Sequence, residues 1–353
     1  MSRFFTERFA SLTPYTPGEQ PQERQYVKLN TNESPFPPSQ GVLEAVEKEA
    51  LLLQLYSDPE NRLITKAIAD RYGVKPTEVL VGNGSDELLY FAFMAFCDEK
   101  NPAVFPDITY GFYPVYSEVN RVPYVEVPLR EDLSIAPEDY EHLNGTVFLA
   151  NPNAPTGIAL PRAAIESMLV SRPDRLHVVD EAYVDFGAES VLPLVVKYDN
   201  LLVIQTFSKS RSLAGARLGF AVGSEELIRD LNTLKYSTNP YNVNRMTSVA
   251  GVAAIAEDQY YRENALRIIE TRDWTREQLI RLAFEVTDSQ SNFLFARNDR
   301  IPGKDLYLKL KERGVLVRHF SRERIDDYVR ITVGTRSQME RLLSEIQAIL
   351  SAG

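Results

Sequence analysis

Short apolar runs alternate with helical patterns through the middle of the chain, and this alternation constrains the fold more than any other feature. The runs end at polar turns that carry glycine or proline, and they lie at residues 78–81, 103–105, 123–128, 146–150, 177–179 and 201–204. Apolar runs of this length are typical of strands buried on both faces. Such strands, separated by helices, form a mostly parallel sheet with helices on both faces. The sequence therefore predicts an α/β fold, with Gly219 to Val222 as a further strand that points away from the loop after residue 204.

The two ends of the chain differ from this middle part. Residues 1–40 are rich in proline and polar residues, and the prolines at 35, 37 and 38 exclude a central strand or a helix interior. They predict either an N-terminal arm that drapes over the protein or a floppy terminus. Helical periodicity predicts a helix over 41–55. After Phe293, strand and helix patterns, with one strand expected over 315–318, indicate a compact α+β unit. We expect an arm over 1–40, a large domain over 41–255 and a small C-terminal domain over 256–353.

Composition excludes several classes of function. The chain has 39 Lys and Arg against 49 Asp and Glu, for a net charge of -10, which argues against nucleic acid or an anionic membrane as a partner. Cys97 is the only cysteine, so no intrachain disulfide can form, as suits a reducing cytoplasm. The start of the chain does not read as a signal peptide, and the longest apolar run is too short to span a bilayer. The three histidines lack metal-ligand spacing. We expect a cytoplasmic protein with small-molecule partners and no metal site.

A basic loop follows the apolar run at 201–204. Residues 205–220 read Q-T-F-S-K-S-R-S-L-A-G-A-R-L-G-F, so that Lys209 lies between two serines with Arg211 and Arg217 nearby. Small residues at 214–216 let the backbone approach another group closely. The loop is either a run of solvated charges or the site of a nucleophilic amine.

Asp180 stands at the end of another apolar run, where a buried carboxylate needs a cation or a hydrogen-bond donor. It either forms an ion pair with Lys209 or a neighbouring arginine, or it faces the protonated ring nitrogen of a cofactor. The turn G-N-G-S-D-E at 82–87 links a strand to an apolar helix, a layout that presents backbone N–H groups to a phosphate, although Ser85 or Asp86 can also be a simple helix N-cap. Pyridoxal phosphate needs a Schiff-base lysine, an aspartate at its ring nitrogen and a phosphate cradle, and the chain has candidates for all three.

Four motifs then carry a family resemblance. They are N-P-N-A-P-T-G at 151–157, V-V-D-E-A-Y at 178–183, T-F-S-K-S-R-S-L-A-G-A-R-L-G-F at 206–220 and R-I-T-V-G-T at 330–335. With them the chain resembles the class I/II aminotransferases among the fold-type-I pyridoxal-phosphate enzymes. Further motifs narrow the resemblance to a branch whose amino donor carries a phosphate: P-Y-x-P-G at 14–18, L-N-T-N-E-S-P-F-P-P-S at 29–39, Y-S-D-P-E-N at 56–61 and P-Y-N-V-N at 240–244.

The resemblance implies a role for each matching residue. Lys209 would form the Schiff base and move a proton, Asp180 would keep the ring nitrogen protonated, and Tyr183 would bond the ring oxygen O3′. Tyr110 would stack on the ring. The residues implied for the phosphate are Gly84, Ser85, Asp86, Ser208, Arg217 and, from the other subunit of a homodimer, Tyr56.

The resemblance also implies a substrate pocket and leaves two positions open. Arg330 would bind the anionic group of a substrate, either a phosphate or an α-carboxylate, and Arg318 and Tyr15 are candidates for the same pocket. Many relatives carry asparagine directly before P-T-G, where this chain has Ala154, so either Asn153 takes its role or the contact is missing. Arg211 would serve the phosphate or a salt bridge.

Other activities remain compatible with this sequence. On the same scaffold, an aromatic or broad-specificity amino-acid aminotransferase or a decarboxylase of a phosphorylated amino acid would carry the same lysine and aspartate, since the outcome depends on which bond at Cα is aligned for cleavage. A non-catalytic regulator of the same fold would bring a DNA-binding domain, for which neither terminus has the room or the charge.

Overall fold

The computed structural model describes residues 2–352, and a seven-stranded sheet lies at its centre. Thirteen strands occur in this part of the chain. They are β1 (Val27–Lys28), β2 (Val79–Gly82), β3 (Ala103–Pro106), β4 (Tyr124–Val127), β5 (Thr146–Ala150), β6 (His177–Asp180), β7 (Leu201–Thr206), β8 (Gly219–Val222), β9 (Glu285–Val286), β10 (Phe293–Arg297), β11 (Val315–Leu316), β12 (Arg318–His319) and β13 (Tyr328–Thr332).

Ten α-helices flank the sheets in the described residues. They are α1 (Gln40–Ala50), α2 (Arg62–Tyr72), α3 (Ser85–Phe96), α4 (Phe112–Asn120), α5 (Arg162–Ser171), α6 (Glu225–Thr238), α7 (Arg245–Ala256), α8 (Asp258–Arg281), α9 (Gly303–Glu312) and α10 (Arg336–Ser351). Several of them end as the sequence requires. Gly73, for example, follows α2 with a φ of 69°, a left-handed conformation that is common just past a helix end.

The central sheet has the order β2-β8-β7-β6-β5-β3-β4. The strands from β7 to β4 pair in parallel, whereas β8 is antiparallel to both β2 and β7. Strand β6 is buried along its whole length because its successive side chains enter two different cores. Val178 packs into one core and Val179 into the other. The predicted α/β fold is therefore confirmed, including the strand at 219–222 that runs away from the basic loop.

A second, four-stranded antiparallel sheet is formed near the C-terminus in the order β12-β13-β10-β9. Its core contains Leu294, Val329 and Leu342. The N-terminal arm joins this region, because β1 pairs in parallel with β11 and Leu29 is buried in the same core. The arm is thus anchored at residues 27–29. The division into 1–40, 41–255 and 256–353 stays a prediction.

Two elements differ from the sequence-based expectation. The helix expected over 41–55 ends at Ala50, and residues 51–55 form turns with exposed leucines, so that no buried face stabilises a longer helix. The strand expected over 315–318 consists of two short strands, β11 and β12, which pair with different partners. Within residues 2–352, no helix combines the length and apolar character needed to cross a bilayer.

Candidate active site

A cavity of about 340 Å³ lies at the carboxyl edge of the central sheet, where β5, β6 and β7 end. Ala150, Asp180 and Thr206 are the last residues of these three strands, and all three line the cavity. Parallel strands place their carboxyl ends at one edge of a sheet, which is where α/β folds bind ligands. The N-terminal arm and the four-stranded sheet form the opposite wall.

Lys209 lies on the floor of this cavity. Its side chain is partly buried, its Nζ donates to the carbonyl oxygen of Thr31 at 3.3 Å, and it lies 5.7 Å from the ring centroid of Tyr183. None of the acidic side chains described in residues 2–352 forms an ion pair with it. This placement favours a nucleophilic amine over a run of solvated charges, since the amino group of Lys209 faces the cavity and has no acidic partner among the residues that the structure describes.

Asp180 lines the same cavity as Lys209 but does not pair with it. The residue is 5% exposed, and the N–H of Ala182 donates to Oδ1 at 3.1 Å. Burial raises the pKa of Asp180 to about 7. No lysine or arginine in the described part of the chain forms an ion pair with this carboxyl group, so it lacks the cation that a buried carboxylate needs. A protonated ring nitrogen in the cavity would be that partner.

The first turn of α3 forms a cradle for an anion. Its N-cap is Gly84, with a φ of 80°, and a Cβ there would lie 2.5 Å from Nη2 of Arg217. A Cβ at Gly219 would lie 2.4 Å from the backbone nitrogen of Ser85. Both glycines are needed because β8 and Arg217 approach the start of the helix this closely. The free N–H groups of a helix N-terminus attract phosphate, and the guanidinium of Arg217 adds a positive charge.

Asp86 links this cradle to Tyr110, the residue predicted to stack on the ring. Nη2 of Arg217 lies 2.8 Å from Oδ2 of Asp86, and the hydroxyl of Tyr110 donates to Oδ1 at 2.7 Å. Nη1 of Arg217 also donates to Ser208 Oγ at 3.4 Å. The amine, the carboxyl group and the anion cradle thus surround one cavity, and their chemistry fits pyridoxal phosphate.

Tyr183 is held by a residue that sequence reasoning missed. The hydroxyl oxygen of Tyr183 accepts from Nδ2 of Asn32 at 3.0 Å. Asn32 is 1% exposed, its N–H donates to Oγ1 of Thr332, and the same hydroxyl donates to its Oδ1, both at 2.9 Å. Its φ of 57° is a left-handed conformation that asparagine tolerates better than most residues. The available signal was the L-N-T-N motif itself, but the contact partners of Asn32, Tyr183 and Thr332, lie 151 and 300 residues away in the chain.

Of the two alternatives for the missing asparagine, the structure does not support Asn153 as its replacement, because Asn153 does not line the cavity. Its Nδ2 donates to the carbonyl oxygen of Ile108 at 2.9 Å, and its Oδ1 accepts from Thr109 at 2.7 Å. Ala154 lines the cavity in its place. Asn153 therefore holds the loop that carries Tyr110, because its amide is fully engaged within the protein.

Arg330 on β13 is the cation of the opposite wall. Its Nη2 donates to the carbonyl oxygen of Asn30 at 3.1 Å, and its guanidinium lies 5.3 Å from the ring centroid of Phe293 and 5.5 Å from that of Phe320. Its Nε has no hydrogen-bond partner, and no carboxylate described in the structure pairs with it. Burial lowers the pKa of Arg330, but a guanidinium remains charged in proteins. Arg330 can therefore receive an anionic substrate group.

Arg318 and Tyr15 line the same cavity, and each forms a contact between the arm and the rest of the protein. Arg318 donates to the carbonyl oxygens of Thr16 at 2.8 Å and Pro17 at 3.0 Å. The ring of Tyr15 stacks on Phe112 with centroids 4.1 Å apart, and burial raises its pKa. These contacts keep the arm over the cavity mouth, so both residues shape the pocket.

Tyr56 and Arg211 also lie outside the cavity. Tyr56 is 80% exposed and stacks on Tyr241 with centroids 4.7 Å apart, so any role in a partner's site stays a prediction. Arg211 is buried, and its Nη2 lies 2.7 Å from Oδ1 of Asp258. Of the two roles considered for Arg211, the structure thus has the salt bridge.

Comparisons with known proteins agree with this geometry. Residues 24–346 match the model of the family Aminotransferase class I and II, and the chain belongs to that family. Its relatives include the histidinol-phosphate aminotransferase of Brachyspira hyodysenteriae, 46% identical over 352 residues that cover 99% of each chain. Histidinol-phosphate aminotransferase 1 of Bradyrhizobium diazoefficiens is 50% identical over 350 residues, 99% of this chain and 100% of the relative.

A solved structure with the same fold is the histidinol-phosphate aminotransferase of Sinorhizobium meliloti in complex with pyridoxal-5′-phosphate. It superimposes with a TM-score of 0.89 at 23% sequence identity, over 100% of this chain and 99% of the other. The predicted family resemblance is confirmed.

Proposed function

We propose that the protein is a pyridoxal-phosphate-dependent aminotransferase that converts L-histidinol phosphate and 2-oxoglutarate into imidazole-acetol phosphate and L-glutamate, a step of histidine biosynthesis. The observation that carries this proposal is the 46–50% identity to histidinol-phosphate aminotransferases over nearly the full length of both chains. The cavity supports it, because it combines a free amine, a buried carboxyl group and an anion cradle with a separate guanidinium.

The site residues divide the chemistry among them. Bound pyridoxal phosphate supplies an electron sink that stabilises negative charge at Cα of the amino donor. The carboxylate of Asp180 holds a proton on the ring nitrogen, and its burial strengthens that interaction. Nζ of Lys209 would take up the proton from Cα and give it back, as a positioned general base and acid. Since Tyr183 accepts a hydrogen bond from Asn32, its own hydroxyl proton is free to point into the cavity towards the ring oxygen.

Arg330 receives the anionic group of each substrate in turn. A planar guanidinium fork binds a phosphate or a carboxylate equally well through paired N–H groups. Arg330 belongs to β13 and the cradle to the start of α3, so two different elements provide an anion site for the substrate and one for the cofactor. The flanking rings of Phe293 and Phe320 fix the plane of the guanidinium.

A homodimer in the cytoplasm completes the proposal. The segment from Leu51 to Tyr56 is apolar and exposed, with Leu51 81% and Tyr56 80% accessible. A cluster of this kind marks an interaction surface. We place a second copy of the chain there, with Tyr56 reaching the cofactor phosphate in the partner's site. The single cysteine, Cys97, is buried and leaves the chain without an intrachain disulfide, as suits a reducing compartment.

A substrate panel tests the function. The purified protein, loaded with pyridoxal phosphate, is given histidinol phosphate, phenylalanine, tyrosine or phosphothreonine, each with 2-oxoglutarate. We expect glutamate to form fastest with histidinol phosphate. Turnover of phenylalanine without histidinol phosphate would replace the proposal by an aromatic or broad-specificity aminotransferase. Release of carbon dioxide from phosphothreonine would indicate a decarboxylase.

A further inference from the structure

The three residues that follow Lys209 are each anchored to a different segment of the protein. Ser210 Oγ donates to Oδ2 of Asp185, which lies in the turn just after Tyr183. Arg211 pairs with Asp258, the first residue of α8. Ser212 Oγ donates to Ser34 Oγ at 2.9 Å, two residues beyond Asn32. Residues 210–212 therefore link the Lys209 loop to the turn after Tyr183, to the junction between α7 and α8, and to the arm.

Arg211 has the strongest of these anchors. Its Nη2 lies 2.7 Å from Oδ1 of Asp258, and its Nη1 donates to the carbonyl oxygen of Ala254 at 3.2 Å. Its guanidinium lies 5.7 Å from the ring centroid of Phe207 and 5.8 Å from that of Tyr261. A cation at the end of α7 and a carboxylate at the start of α8 also suit the dipoles of both helices.

The anchors hold a turn with an unusual backbone. The N–H of Ser212 donates to the carbonyl oxygen of Lys209 at 3.3 Å, and Ser212 has a φ of 54°. A residue other than glycine persists in this left-handed region only where its surroundings hold it there. The contacts of Ser210, Arg211 and Ser212 are such surroundings, and they fix the Cα from which the Lys209 side chain extends.

We propose that Arg211, through its ion pair with Asp258, is a positioning residue that holds the Lys209 loop so that Nζ meets both the cofactor and Cα of the substrate. The inference rests on the proposed function of Lys209. It adds a residue that touches neither cofactor nor substrate. Misplacing a reacting group by about 1 Å costs on the order of 100-fold in rate, so a loosened loop has a large effect on the chemical step.

The test compares Arg211→Met with Arg71→Met. Arg71 is a matched control because its Nη2 lies 3.1 Å from the other oxygen of the same Asp258, but it belongs to α2 and not to the lysine loop. Three quantities are measured: kcat and KM with the donor that the wild type uses, the rate at which pyridoxal phosphate attaches to the cofactor-free protein, and the pH midpoint of the visible absorbance of the loaded protein.

We expect Arg211→Met to lower kcat and the attachment rate by roughly 10–100-fold with KM changed less than about threefold, and to shift the absorbance midpoint. Arg211→Lys keeps the charge and should recover part of the loss, whereas Arg71→Met should stay within about twofold of the wild type in kcat. An Arg211→Met protein that melts earlier but keeps the wild-type kcat, attachment rate and midpoint would overturn the proposal. An equal loss of kcat in Arg71→Met would also overturn it.

Ser210→Ala and Asp258→Asn decide the question if Arg211→Met does not fold. Each removes one anchor of the same loop, and we expect each to lower the attachment rate by more than about threefold, since each loosens the lysine without touching the cofactor. Wild-type rates in both would refute the inference. A failure of the proposed function looks different, because the wild-type protein itself would then neither take up pyridoxal phosphate nor transfer an amino group.

Discussion

The two walls of the cavity are built in different ways. Asp180 ends β6, and Lys209 and Tyr183 lie in the loops that follow β7 and β6, so backbone pairing of these two strands sets their spacing. The opposite wall joins the arm to the four-stranded sheet, and its contact between Asn32 and Thr332 spans 300 residues of sequence. In the proposed function, the first wall carries the chemistry and the second recognises the substrate. The comparison suggests that changes on the sheet edge act on kcat, while changes on the second wall act through substrate binding and orientation.

The largest expected effect is at the centre of the sheet edge. Lys209→Ala should lower turnover by about 10⁵-fold or more, because a tethered amine has an effective concentration that no free amine in solution can match. The loaded wild-type protein should be yellow and the variant should lose the covalent link to the cofactor. Borohydride reduction followed by mass spectrometry measures this directly. Normal turnover in Lys209→Ala would refute the assignment.

The second wall is tested by Arg330→Met. Leaving a buried anionic group without its charged partner costs about 2–5 kcal/mol, so kcat/KM for histidinol phosphate should fall by roughly 30-fold to 4000-fold. Binding of pyridoxal phosphate, followed by absorbance titration, should change little because the cradle at α3 is separate. The kcat/KM of Arg330→Lys should lie between those of the wild type and Arg330→Met, since lysine keeps the charge but lacks the planar fork.

Arg297→Met is the control for the second wall. Arg297 lies on the neighbouring strand β10 of the same sheet and pairs with Glu285, but it is outside the cavity. Loss of such an exposed pair changes stability by no more than about 1 kcal/mol and should leave kcat/KM unchanged. Equal losses in Arg297→Met and Arg330→Met would mean that sheet stability, and not anion binding, explains the effect.

The pH dependence of stability tests whether Asp180 lacks a partner in the cofactor-free protein. Its pKa is raised by burial from the ordinary 3.8 to about 7. Between these values the folded chain holds a proton that the unfolded chain has lost, so the free energy of unfolding falls as the pH rises from about 4 to about 7. Asp180→Asn removes this contribution.

Chemical denaturation of the cofactor-free wild type and Asp180→Asn at pH 5 and pH 8 measures the contribution of Asp180 to the free energy of unfolding. We subtract the free energy of unfolding of the wild type from that of Asp180→Asn at each pH. This difference should be about 2–3 kcal/mol more positive at pH 8 than at pH 5. Glu181, whose pKa burial also raises to about 7, is present in both proteins and cancels in the difference. An identical pH dependence in both proteins would mean that Asp180 is already paired.

The two walls also differ in how far the sequence predicts them. Lys209 and Asp180 could be predicted because each follows an apolar strand, and parallel strands bring such positions to one edge. The anion cradle followed from the glycines of the turn at 82–87. The partner of Tyr183 could not be derived in this way, since nothing local to Asn32 indicates that the arm pairs with β11. The helix end at Ala50 was missed for a related reason, because exposure of Leu51 depends on the tertiary surroundings.

The smallest expected effect distinguishes Asn32 from Asn153. The sequence offered Asn153 as one alternative for the contact with the ring oxygen. Asn32→Ala removes the donor to the Tyr183 hydroxyl, and a single neutral hydrogen bond contributes about 0.5–1.5 kcal/mol, so kcat should fall by about threefold to tenfold. The pH midpoint of the cofactor absorbance should shift as well, because the tyrosine that bonds the ring oxygen is no longer fixed. Asn153→Ala should lower thermal stability instead, since the side-chain amide of Asn153 forms hydrogen bonds with Ile108 and Thr109 and none into the cavity. If Asn153→Ala shifts the midpoint and Asn32→Ala does not, the ring oxygen is served by the sheet edge alone, and the chemical role of the second wall is limited to the anion at Arg330.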